Sequence, residues 1–246
     1  MGKLLLTLQY DGTRYHGWQV QPNGITVQET LQNAIERICG VRYGVTGCSR
    51  TDTGVHAKRF YCTIEEPEKP SVESMVKALN ANLPDDMAVL DCRRVPPDFH
   101  PRYSAKGKRY RYYLWNSAVR APFHKDYSLH VRSPLDEAAM NETAKLFLGT
   151  HDFSAFCSAG SSVEDKRRTV VRSEVTREGD MVIFTVEADG FLYNMVRIFV
   201  GTLLDVQAGR LDAESVRQAL KTGCREYAGA TAPAQGLFLD EVFYTL

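Results

Sequence analysis

Between Lys3 and Val95 the apolar residues switch back and forth between a period of two and a period of 3.6, which restricts the fold more than any other feature. Lys3 to Tyr10 reads as a strand, ended by the turn pair Asp11-Gly12. Thr26-Val27-Gln28-Glu29 fits a capping box, with Thr26 as N-cap and Glu29 reaching back. Val27, Leu31, Ala34, Ile35 and Ile38 then recur at helical spacing until Gly40 closes the helix. A short strand ends near Val45 and Cys48, and a second strand-like run is Phe60-Tyr61-Cys62-Thr63-Ile64. Ser71 opens a helix through Met75, Val76, Leu79 and Ala81 that stops before Leu83-Pro84, and Met87 to Val95 makes a fourth strand. The order is β-α-β-β-α-β, the split ferredoxin-like unit.

The rest of the chain repeats that order in topology rather than in sequence. Ala105 to Asn116 is a long, Tyr-rich strand. Ser133-Pro134 should open a helix with Pro at its first position and Asp136 and Glu137 near the positive end of the dipole. Arg168 to Glu178 and Met181 to Ala188 form a hairpin around Gly179, and a helix spans roughly Tyr193 to Ala208. Asp212 caps a further helix ending at Gly223, and Leu237 to Tyr244 is a last strand. The expectation is an α+β chain of two ferredoxin-like halves, 1–104 and 105–246, with a boundary near Val95-Pro96-Pro97-Asp98. Two such sheets could join edge to edge or pack across a cleft.

Between the second and third strands lies Ser49-Arg50-Thr51-Asp52-Thr53-Gly54-Val55-His56-Ala57, a polar loop between rigid strands, where chemistry is often placed. A solvated hairpin turn would use similar residues. Three chemistries fit. Asp52-Thr53-Gly54 spells the aspartic-protease tripeptide, but Arg50-Thr51 precede it and no second copy exists, so a protease would need a dimeric site. Asp52 and His56 are too few for a metal site. The third is a nucleophilic or general-base Asp acting on a nucleotide.

Charge bears on that choice. Thirty basic and thirty acidic residues cancel, so nucleic-acid binding needs a local patch. One exists between Pro101 and Arg120: Arg102, Lys106, Lys108, Arg109, Arg111 and Arg120, with no acid, interleaved with Tyr103, Tyr110, Tyr112, Tyr113 and Trp115. Cations that neutralise phosphate beside rings that stack bases suit an RNA surface; a charged edge strand is the structural alternative. Strand alternation puts Lys108, Tyr110 and Tyr112 on one face and Arg109, Arg111 and Tyr113 on the other. Lys166-Arg167-Arg168 adds a second cluster. Arg197, inside an apolar helix, is expected to be buried and to meet a carboxylate or phosphate, Asp52 being the obvious candidate. A structural pair with another acid, or a snorkelling stem, would also satisfy it.

Six scattered cysteines lack any C-x-x-C pair; five sit among apolar neighbours and read as small core residues of a reducing compartment. The histidines form no ligand cluster, no signal-peptide pattern follows Leu4-Leu5-Leu6, and no apolar run approaches the roughly 20 residues that span a bilayer. A cytoplasmic, metal-free chain is expected.

The motifs together resemble the TruA-type tRNA pseudouridine synthases from the first strand to the last. Tyr10-Asp11-Gly12-Thr13 with Tyr15, Gly17-Trp18-Gln19 and Gln21 is similar to that family's opening motif, and Arg50 to Ala57 to its catalytic loop. Asn80-Ala81-Asn82-Leu83-Pro84, Phe99-His100-Pro101-Arg102 and Lys108-Arg109-Tyr110-Arg111-Tyr112 follow in the family's order. So do Asp152-Phe153, Arg168-Thr169-Val170, Gly190-Phe191 through Arg197, and Gly236-Leu237-Phe238-Leu239. Two departures stand out: Thr53 where the family usually has Ala, and Arg59-Phe60 where it tends to have Gly-Gln.

The resemblance implies the pseudouridine synthase fold, its antiparallel sheets facing a central cleft. It implies isomerisation of uridine to pseudouridine at positions 38, 39 and 40 of the tRNA anticodon stem-loop. Asp52 would start glycosidic bond cleavage, Arg197 would pair with it, and Tyr110 would stack on the flipped uracil. Arg50 would touch a phosphate or fix the loop, and Arg102, Lys106, Lys108, Arg109, Arg111, Lys166 and Arg168 would bind RNA. Bond cleavage and re-formation balance, so no cofactor, metal or energy source is required. Similar enzymes are homodimers with one tRNA spanning both subunits. A catalytically silent RNA-binding module would have lost Asp52, Tyr110 or Arg197, and all three are present.

Overall fold

The structure, a computed structural model, describes residues 2–161 and 163–245. It separates into two compact units, Met1–Lys106 with Phe238–Leu246, and Gly107–Leu237. The chain is mixed α+β and its strands pair mostly antiparallel.

The first unit follows the pattern of its sequence closely. It runs β1 (Lys3–Tyr10), α1 (Val27–Cys39), β2 (Thr46–Gly47), β3 (His56–Glu65), α2 (Val72–Asn80) and β4 (Met87–Val95). β1 lies between β4 and β3, antiparallel to both, and β2 pairs with β3. Leu4, Leu5, Leu6 and Leu8 are fully buried with Leu31, Ala34 and Ile35 of α1 and Met75 and Leu79 of α2, the positions the two periodicities select. Thr26 Oγ1 accepts from Glu29 N at 3.3 Å, the Thr26 half of the expected capping box. The strand before the Asp52 loop is only two residues long, and the strand after it begins earlier than expected, at His56. Leu8 pairs with Phe60 and Tyr10 with Ala57, so β3 has one more residue than β1 between these pairs. Such a bulge twists a strand and re-aims its end, here beside the Asp52 loop.

The second unit contains β5 (Gly107–Asn116), β6 (Leu129–Val131), α3 (Glu137–Ala144), β7 (Gly149–Asp152), β8 (Arg167–Glu178), β9 (Met181–Ala188), α4 (Met195–Gln207) and α5 (Ala213–Thr222). Its sheet order is β5-β9-β8-β7, with the short β6 parallel to β5. Phe199 of α4 centres an aromatic core, stacked on Phe147 at 4.0 Å and meeting Phe153, Phe156 and Phe184 edge-on. α3 starts later than Ser133-Pro134 suggested. Asn116 donates to Ser133 O, accepts from Leu135 N, and Arg177 donates to Leu135 O, which holds this stretch extended. Asp136 caps the helix instead, accepting from Ala139 N at 3.0 Å. α5 carries a full reciprocal box between Asp212 and Ser215.

The last strand, β10 (Leu237–Phe243), expected with residues 105–246, returns almost wholly to the first unit. It pairs parallel with β3, Phe238 opposite His56 and Leu239 opposite Ala57. Of the cysteines, Cys48, Cys62 and Cys157 are buried, whereas Cys39, Cys92 and Cys224 are half-buried, so fewer are core residues than expected.

Candidate active site

The Asp52 loop is tied down by main-chain bonds to the segment that follows β1. Trp18 N donates to Thr51 O at 3.1 Å, and Gly54 N to Tyr15 O at 3.2 Å. Val55 N closes a turn on Asp52 O at 3.1 Å, and Gly54 takes φ +77°, a conformation that turns reserve for glycine. Tyr10 Oη and Thr51 Oγ1 share a buried hydrogen bond of 2.9 Å. Gly12 lies so close that a Cβ there would stand 2.0 Å from Val55 O. Asp52 itself is half-buried, with Thr51 and Val55 buried on either side.

His56, 1% exposed, ends the loop. Gly12 N–H donates to its Nδ1 at 3.0 Å, and its ring stacks on Phe238 at 4.5 Å. Asp11 Oδ1 stands 3.1 Å from the same nitrogen. The opening motif is fixed in turn by Asp86, which accepts from Tyr15 Oη at 2.5 Å. Burial, then that bond, raises the Tyr15 hydroxyl well above the ordinary tyrosine range, so it stays a donor. Of the departures from the family pattern, Thr53 is exposed beside Asp52, whereas Arg59-Phe60 falls on structural positions. Phe60 is fully buried and stacks on Trp18 at 4.0 Å, and Arg59 points outward to Glu241, 3.4 Å away.

In the second unit, strand alternation holds: Lys108, Tyr110, Tyr112 and Leu114 face inward and Arg109, Arg111 and Tyr113 are half-buried on the other face. Lys108 is only 9% exposed. Arg109 pairs with Glu187 at 2.7 Å, which also takes Arg172 at 3.1 Å. Burial raises the Glu187 carboxyl, but the two guanidinium groups outweigh it and hold it below the ordinary range. Tyr110 meets Phe191 edge-on at 4.9 Å. Tyr112 donates to Pro233 O at 2.7 Å; burial raises its hydroxyl strongly, and the Arg197 charge lowers it in part.

Arg197 is half-buried rather than buried. Its Nε donates to Ala232 O at 2.7 Å and Nη1 to Asn194 Oδ1 at 2.8 Å, while Ala232 N donates back to Arg197 O at 3.0 Å. Thr202 anchors the same segment, its Oγ1 accepting from Gly229 N at 2.8 Å. The other predicted cations are spread over both units. Arg50, Arg102 and Lys106 are exposed, and Lys166 and Arg168 are half-buried. Asn194, Ala232, Thr202 and the Gly12–His56 bond escaped sequence reading; only the polar residues inside the apolar run from Phe191 to Val200 gave a signal. Among the described residues no three His, Cys, Asp or Glu side chains gather as a metal site, and no helix is long and apolar enough to cross a membrane.

A family model described as tRNA pseudouridine synthase matches residues 7–104 and 143–245, spanning the Asp52 loop and Arg197. The chain belongs to the tRNA pseudouridine synthase family. This synthase is 45% identical over 244 residues to tRNA pseudouridine synthase A of Acetivibrio thermocellus, covering 99% of this chain and 100% of that one. It is 48% identical over 238 residues to the protein of that name from Halalkalibacterium halodurans, covering 96% and 90%. A solved Cbf5-Nop10-Gar1 complex is similar at 14% identity and a TM-score of 0.41, over 96% of this synthase and 48% of that chain.

Proposed function

We propose that this isomerase converts uridine to pseudouridine at positions 38, 39 and 40 of the tRNA anticodon stem-loop, with Asp52 as the residue that starts glycosidic bond cleavage. The observation that carries the assignment of Asp52 is its loop, held by backbone bonds from Trp18 and Gly54 and by the Tyr10–Thr51 bond, so the carboxylate is presented from a rigid turn. The target uracil leaves the stack, is released from C1′ through N1, rotates, and rejoins through C5, whose proton is lost as N1 gains one. Atoms balance without a cofactor. Arg197 pairs with Asp52 and keeps it ionised. The acceptors Ala232 O and Asn194 Oδ1 are neutral, so they orient the guanidinium without cancelling its charge. Tyr110, on the inward face of β5, stacks on the flipped base. Arg50, Arg102, Lys106, Lys166 and Arg168 contact phosphates, and Lys108, Arg109 and Arg111 add positive potential along β5. The enzyme acts in the cytoplasm as a homodimer.

Tritium release from tRNA labelled at uridine C5 tests this. The native protein should release tritium from anticodon-arm uridines, and Asp52→Asn should lose at least about 10³-fold in kcat. Arg197→Met should lose far more kcat than affinity; equal losses would make it a plain RNA contact. Release confined to uridines elsewhere in tRNA would overturn the positions.

A further inference from the structure

Asn194 makes two choices that cost stability. It sits at φ +60° and ψ +8°, the only non-glycine residue with positive φ among those described. Asparagine tolerates this left-handed conformation better than most residues, but glycine would hold it at lower cost. It is also the N-cap of α4, a position where an Asn side chain normally accepts from a helix N–H, and here it makes no such bond. The side chain instead turns to Arg197, Oδ1 accepting from Nη1 at 2.8 Å, while Nδ2 donates to Ser158 Oγ at 2.9 Å. A guanidinium has only donors, so the oxygen must face Arg197 and the NH2 must face Ser158.

We infer that Asn194 is a positioning residue that aims the Arg197 guanidinium, and that Ser158 locks the amide in the required sense. This rests on the role given to Arg197 above. Ser158 is itself placed by its backbone N–H, which donates to Tyr193 O at 3.1 Å, so the chain of bonds begins and ends beside α4. With Ala232 O fixing Nε from the other side, two guanidinium nitrogens are held at two points. The amide matters as much as the geometry. A carboxylate at 194 would hold Arg197 equally well and neutralise it; an amide holds it and leaves its charge for the reaction.

The test compares Asn194→Gly, Asn194→Asp, Ser158→Ala and Arg197→Met in the full-length protein. Readouts are kcat and KM by tritium release, the acid limb of the kcat–pH profile, thermal midpoint, and the ¹⁵N guanidinium resonances of Arg197. Asn194→Gly keeps the backbone and removes the amide. It should lower kcat about 10- to 100-fold, with KM within about threefold of native. Its thermal midpoint should stay level or rise, its acid limb should move to higher pH, and the Arg197 resonances should average. Asn194→Asp should lower kcat at least as far, through competition for the guanidinium, and Ser158→Ala should shift the same quantities less. Unchanged guanidinium resonances in Asn194→Gly would overturn the inference, as would native kcat with an unmoved acid limb. Native kcat in Arg197→Met would instead overturn the role of Arg197, while the resonances still report whether Asn194 aims it.

Discussion

At the scale of single residues, the site depends on atoms whose importance lies in what they hold. His56 is four residues from Asp52, and its Nδ1 is the acceptor that meets the Gly12 N–H. His56→Phe keeps a ring against Phe238 and deletes that acceptor. A buried donor left unmet costs about 1–3 kcal/mol. We expect urea unfolding to show a loss of that size, with kcat falling further because Gly12 and Asp52 share a loop framework. Native stability in this variant would mean that the bond contributes nothing. The loop was fully legible as a motif, since Arg50 to Ala57 is contiguous. Its clasp was not, because Tyr10, Gly12, Tyr15 and Trp18 lie more than thirty positions earlier and meet the loop largely through main-chain atoms that side-chain patterns do not report.

At the scale of elements, the β5-β9-β8 sheet turns one basic residue of the RNA-like window, Arg109, into an internal pair. Glu187 on β9 accepts from Arg109 on β5 and Arg172 on β8, crossing three strands. Its folded carboxyl titrates below the ordinary glutamate range, so its contribution is complete above the unfolded value near pH ~4.3 and is lost as pH falls through the folded value. The native urea midpoint should fall as the solution is acidified below that point. Glu187→Gln should lose about 1 kcal/mol at neutral pH and show a flatter acid dependence. An identical acid slope in the two proteins would remove Glu187 from this account. Sequence alternation assigned the β5 faces correctly because the two-residue period is a backbone property. It could not show that Lys108 lies inward or that Arg109 is paired, since both depend on β9 residues almost eighty positions away. The start of α3 was misjudged for a similar reason: Asn116 and Arg177 claim the backbone around Leu135.

At the scale of the whole molecule, the chain leaves its first unit at Lys106 and comes back to it after Leu237. The returning segment supplies Phe238 against His56, Glu241 as acceptor of Tyr61 Oη at 2.9 Å, and Tyr244, which donates to Pro101 O at 2.5 Å. A chain ended after Leu237 should therefore melt earlier in the first unit, with faster amide exchange along β3 than along β9. Equal protection of β3 in the shortened and full chains would contradict this. By itself the sequence determined the order of elements in the first unit, the faces of its helices and strands, and the motif around Asp52. Those are properties of short windows, set by backbone period, caps and turns. Tertiary structure alone decided that β10 belongs with β3, that Gly12 and His56 are bonded, and that Ala232, thirty-five positions on, holds Arg197. Such contacts join residues far apart in the chain, often through backbone groups that every residue carries, so no local pattern distinguishes them.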